Sequence, residues 1–162
     1  MTVLLTNRGY DKLRNKLDKL IKEDWVEATQ MIEDTRPIGV SDEFPPEYMQ
    51  ALDMQNRVER KIADLQTLLN DCMIFTSNMV QYDKNHNKMV GFGTKVNILD
   101  TKTNKEKTYS LVSIYESDID NGYMSVSAPF AIEMKGLVEG DTFEFNDIEY
   151  EILNVSCIDW VF

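Results

Sequence analysis

The chain is short of the residues that most often assemble chemistry on their own. It has one histidine and two cysteines among 162 residues. The histidine, His86, sits in the polar run YDKNHNK with no nearby partners for a metal site. Cys72 and Cys157 stand far apart in the chain, so they read as reduced, buried thiols, and no disulfide is supported. No stretch approaches the roughly 18 consecutive apolar residues of a membrane span. The apolar run in the opening MTVLLTNRGYDKL is too short for a secretory signal. A cytoplasmic protein with no membrane partner is expected. Positive charge is also scarce, 17 basic against 28 acidic residues for a net charge of −11. That balance argues against broad binding to bare nucleic acid or an anionic membrane. It permits a partner with a basic surface. Proline is rare, and three of the four prolines fall at 37, 45 and 46.

What is present is patterned. Thr6 can cap a helix. Apolar residues follow it at Tyr10, Leu13, Leu17, Ile21, Trp25, Ala28 and Ile32. Steps of three or four predict one long amphipathic helix with a seam close to a coiled coil. About 30 residues at 1.5 Å each would make a rod of roughly 45 Å. Pro37, Gly39, Pro45 and Pro46 then break the pattern. A second stripe runs through Ala51, Met54, Val58, Ile62, Leu65, Leu68 and Cys72. Two such helices joined by about ten residues predict an antiparallel hairpin over residues 1–75, with its tip near 37–47.

From about residue 76 the period changes. MVGFGTKVNILD, KEKTYSLVSI and GYMSVSAP read as strands. FAIEMKGL is long enough for one or two helical turns. DTFEFN and IEYEILNVSCI predict a last hairpin turning at Asn146-Asp147. The expected class is α+β: a helical hairpin, then a mostly antiparallel β domain with one short helix over 76–162.

Three stretches resemble one family. The opening places Thr6, Gly9, Lys12 and Leu13 in a T-x-x-G-x-x-K-L pattern, with Lys16-Leu17 closing it. EYMQALDMQNRVERKI matches a second pattern through Glu47, Tyr48, Asp53, Gln55, Glu59 and Ile62. YMSVSAPFAIEMKGLVEGD keeps a third frame through Ser125, Val126, Pro129, Gly136, Gly140 and Asp141. All three resemble the Gre factors, the transcript-cleavage factors of bacterial RNA polymerase, and they lie in the same order over nearly the whole chain. The resemblance implies an N-terminal antiparallel coiled coil and a C-terminal FKBP-like domain. It implies docking of that domain at the rim of the polymerase secondary channel, assigned here to Ser127, Pro129 and Phe130. It implies that the coiled coil enters the channel, and that acidic tip residues, Asp42 and Glu43 here, help hold a shared Mg²⁺ and a water while the polymerase cuts backtracked RNA. The factor would be no enzyme by itself. Two-metal phosphoryl transfer needs carboxylates to place the second ion, and Mg²⁺ is well served by one or two carboxylates plus waters and phosphates. RNA contact falls to Lys19, beside Lys12 and Lys16, and to Arg36. Because the helices pair within one chain, a monomer is expected.

The tip departs from the family pattern. That pattern is G-D-L-x-E-N-A-E-Y. Aligned from Tyr48, its two acids fall on Ser41 and Phe44. Aligned from Gly39, they fall on Val40 and Glu43. Ala128 replaces the serine before Pro129, Glu133 stands where a small residue is usual, and Leu52 replaces an arginine. The displaced acids leave an alternative open: a secondary-channel inhibitor or regulator that does not support cleavage. A prolyl isomerase would need an aromatic-lined pocket, and a structural coiled-coil adaptor would tolerate loss of the tip charges.

Overall fold

Thr6 ends one element and starts the next. The computed structural model describes residues 2–39 and 44–159. In it, Leu4–Leu5 forms strand β1 and Asn7–Lys19 forms helix α1. The Thr6 hydroxyl accepts the Gly9 amide at 2.9 Å, which is the side-chain cap that the sequence predicts. The chain divides into two compact units, Asp11–Cys72 and Met1–Tyr10 with Met73–Phe162. A division at residue 75 therefore needs adjustment at both ends. The cause is pairing: β1 runs parallel to β2, Met73–Ile74, with Leu4 beside Met73 and Leu5 beside Ile74. Leu5 and Thr6 are fully buried. The opening residues thus belong with the β unit.

The helical unit continues α1 through a π-helical turn, Leu20–Asp24, into α2, Trp25–Thr35. Helix α3 spans Pro46–Asp71. The two arms are antiparallel. Gln55 donates to Thr29 at 3.1 Å, and the Trp25 indole approaches Glu59 at 3.5 Å. The expected second stripe holds, with Ala51 and Val58 buried and Met54, Ile62, Leu65, Leu68 and Cys72 half-buried. The first stripe needs correction. Leu13, Leu20, Ala28 and Ile32 are buried, while Ile21 and Trp25 are 39% and 36% exposed. Eight residues of plain α-helix would leave Leu20 and Ala28 about 80° apart around the axis. The π turn, closed by the Trp25 amide on the Leu20 carbonyl, absorbs one extra residue and returns both to the same face.

Pro45 precedes α3 and Pro46 occupies its first turn. A proline there loses no helical hydrogen bond, because the first amides have no partner within the helix. Pro37 follows the end of the first helix, and Pro45 and Pro46 start the second.

The β unit holds a five-stranded sheet in the order β5-β4-β3-β7-β6. Its strands are β3 Thr94–Asp100, β4 Lys105–Val112, β5 Tyr123–Ser125, β6 Thr142–Phe145 and β7 Ile148–Cys157. All pairs are antiparallel except β4 with β5, which makes the sheet mixed. Asn146 and Asp147 both have positive φ, 53° and 61°, as a two-residue type I′ turn requires. Helix α4, Pro129–Met134, closes the core. Val96, Ile98, Leu111, Met134 and Ile152 are almost completely buried there. The expected α+β organisation of helical hairpin and β domain is what the chain forms.

Candidate functional site

Three places carry the residues that the sequence singles out. The first is the hairpin end. Asp42 and Glu43 lie outside the described residues. What flanks them is open: Gly39 has φ +100°, Ile38 is fully exposed, and Phe44 is 60% exposed. The Phe44 ring lies against Tyr48, with centroids 5.5 Å apart and planes tilted by 34°. Arg36 pairs with Glu33 at 2.9 Å, and Lys19 sits 4.0 Å from Glu23 on its own helix. Both pairs are solvent-exposed, so each contributes little to stability. Lys12, Lys16 and Lys19 are all exposed. Among the described residues no group of three or more His, Cys, Asp or Glu is arranged to hold a metal ion.

The second place is the turn into α4. The Ser127 amide donates to Ser125 Oγ at 3.2 Å, which fixes the bend before Pro129 starts the helix. Ser127 and Pro129 are exposed. Phe130 turns inward. Its ring meets Phe143, Phe145 and Tyr150 edge-on at 5.4, 5.1 and 5.1 Å, and Tyr109 at 6.0 Å. Edge-to-face packing of this kind suits aromatic quadrupoles. Of the three residues assigned to docking, two therefore offer surface and the third anchors the helix that carries them. Ser127 also lines a cleft of about 370 Å³ with Ile114, Tyr115, Phe92 and Lys135. Ile114 and Tyr115 are exposed apolar side chains that no motif in the sequence marks.

The third place joins Thr6 and Gly9 to Glu116, which the sequence did not mark. The Glu116 carboxylate accepts the Thr6 amide at 3.2 Å, the Thr6 hydroxyl, and the Ser113 hydroxyl at 2.9 Å. A Cβ on Gly9 would lie 2.1 Å from the Glu116 carboxyl carbon. Any larger residue at this position would force the Glu116 side chain to move. The Thr-x-x-Gly spacing was the available signal: one residue bonds the carboxylate, and the other makes room for it. An acid at the start of a helix also complements the partial positive charge there.

Among the described residues, two carboxylates have lowered proton affinities. The Asp100 carboxyl is held below the usual range, chiefly by the Thr103 amide, with the Lys102 amide and the Lys107 charge adding to the effect. Asp83 is lowered by the Asn87 amide first, then by the Asn87 side chain and the Asn85 amide. Both acids brace turns. Cys72 and Cys157 are free thiols, and burial pushes the Cys72 thiol up, away from reactivity.

Comparison with known proteins settles the family. Residues 3–74 match the model described as transcription elongation factor, N-terminal, and residues 85–157 match transcription elongation factor, GreA/GreB, C-term. A transcription elongation factor GreA of Thermodesulfovibrio yellowstonii is 31% identical over 156 residues, covering 94% of this chain and 95% of that one. The chain belongs to the GreA/GreB family of transcription elongation factors. A GreA of Francisella tularensis subsp. novicida is 33% identical over 158 residues, covering 95% of this chain and 96% of that one. The solved GreA factor homolog 1 (Gfh1) of Thermus thermophilus covers 96% of this chain and 99% of its own, with 21% identity and a TM-score of 0.43.

The shared GreA/GreB pattern around α4 has a physical reading here. Gly136 and Gly140 have φ of +83° and +90°, a region that L side chains resist. Asp141 accepts the Val138 amide at 2.9 Å and closes the turn between them. These positions shape the loops around α4.

Proposed function

We propose that this GreA/GreB-family chain is an accessory factor of DNA-dependent RNA polymerase, acting in the cytoplasm as a monomer. The β unit docks through the Ser127–Pro129 turn and the adjoining cleft. The hairpin enters the secondary channel, and Asp42 and Glu43 support Mg²⁺-dependent cleavage of backtracked RNA by the polymerase. The observation that carries this reading is a pair of acids between two antiparallel helices, on a chain matched to the family along both of its parts. Asp42 and Glu43 are the residues that would share the metal with the polymerase. Bound there, it would supply a charge that orients water. Arg36 and Lys19 are exposed, and each keeps donors beyond its local acidic partner with which to meet RNA.

One observation favours a second reading. In the Tyr48 register, Phe44 occupies the place of the family's second acid, and its ring is exposed. A tip presenting a ring there could occupy the channel and slow nucleotide addition without supporting cleavage. Placement to within about an ångström decides between these outcomes. The test is a backtracked complex of the host polymerase with labelled RNA, given wild type or the Asp42→Ala/Glu43→Ala variant. Short 3′ fragments with wild type alone support cleavage. Slowed addition without fragments supports the inhibitor, and no effect of either kind removes the polymerase from the account.

A further inference from the structure

Phe44 is the last residue before the proline pair, and its surroundings fix how it is displayed. Pro45 and Pro46 lock the following backbone angles, and a residue preceding proline is confined to extended conformations. The ring rests on Tyr48 in the first turn of α3. The contact leaves the outer ring open, with Phe44 60% exposed. The proline pair and the first turn of α3 thus present one exposed ring with a second ring against it.

We propose that Phe44, backed by Tyr48, is a stacking platform for a nucleobase of the RNA held in the polymerase. The inference rests on the reading above, in which the hairpin end meets RNA. In the Tyr48 register this ring stands where the family pattern has an acid. Every base has a π face, so stacking on an aromatic side chain is tolerant of sequence and is lost when the ring is removed. Purines have the larger face and should gain most. Tyr48 is the positioning residue: half-buried, it fixes the tilt of the outer ring.

The test uses the full chain bound to a backtracked complex carrying 5-iodouracil as the RNA 3′ base. Irradiation should cross-link the base to the peptide containing Phe44, and Phe44→Leu should remove that cross-link while Phe44→Tyr keeps it. With natural bases, wild type should act several-fold better on complexes ending in a purine. Phe44→Leu should lower the effect by about tenfold on purine ends and abolish the preference. Occupancy on RNA-free polymerase is measured in parallel. Cross-links elsewhere in a bound factor, or an unchanged purine preference in Phe44→Leu, overturn the platform. An equal loss of affinity for RNA-free polymerase also overturns it, by seating the ring on protein. If wild type fails to bind polymerase at all, the underlying functional reading fails, and the platform with it.

Discussion

The β unit and the helical hairpin are stabilised differently. In the β unit, a sheet and α4 enclose a cluster that includes Val90, Ile98, Leu111, Met134 and Ile152, ringed by Tyr109, Phe130, Phe145 and Ile148. In the hairpin, the buried apolar residues among those described are Leu13, Leu20, Ala28, Ile32, Ala51 and Val58. A two-helix seam has one layer, and most of each helix faces water. Apolar burial contributes roughly in proportion to area, so the β unit should carry more of the stability. Of the described residues that flank the tip, Ile38 is fully exposed and Phe44 is 60% exposed. Substitutions at such exposed positions usually change stability by no more than about 0.5 kcal/mol.

The largest test of that contrast is Phe130→Ala. Removing a ring packed by four other aromatics should cost about 3 kcal/mol in urea denaturation. If Phe130 served only as docking surface, stability would stay within about 0.5 kcal/mol. Next comes a paired test of the hairpin seam. Leu20→Ala should cost about 2 kcal/mol, and Ile21→Ala well under 1 kcal/mol. The reverse order would mean that the plain α-helical stripe holds and the π turn does not.

These two tests mark where the sequence was legible and where it was not. The strands of the sheet and the Asn146-Asp147 turn show in period-two alternation and in residues that accept positive φ. Both helices show in steps of three or four. The π turn does not show, because Leu17, Leu20 and Ile21 satisfy either register, and only packing against α3 chooses between them. The β1–β2 pairing is two residues long and joins segments nearly 70 positions apart, which leaves no local pattern. Phe130 follows the exposed Ser127–Pro129 turn, and a motif alone cannot say that the next side chain points inward. Phe44 was visible as the residue in the family acid's place in one of two registers, but its contact with Tyr48 needed coordinates.

A third test probes the root of α1. Alanine usually favours a helix over glycine by about 1 kcal/mol. At position 9, however, Gly9→Ala should destabilise by about 1.5 kcal/mol, because Glu116 must swing away from Thr6 and Ser113. In a Glu116→Ala background the same change should become neutral or stabilising. Additive losses would show that the two residues do not share the space. The smallest effect concerns pH. Because the folded Asp100 carboxyl is held below its ordinary value near 4, its contribution is present above that value and fades as pH falls through the lowered folded-state value. Stability measured from pH 6 downward should therefore decline less steeply in Asp100→Asn than in wild type. Identical slopes would remove Asp100 from the acid response.

The central claim is that docking and the tip are separate: the β unit binds, and the hairpin end acts. A competition measurement addresses it directly. Wild type at fixed concentration drives fragment release from a backtracked complex while the Asp42→Ala/Glu43→Ala variant is titrated in. The account predicts that the variant suppresses release, with an inhibition constant matching the wild-type dissociation constant. Release that persists at saturating variant, or a variant that supports release itself, would contradict it.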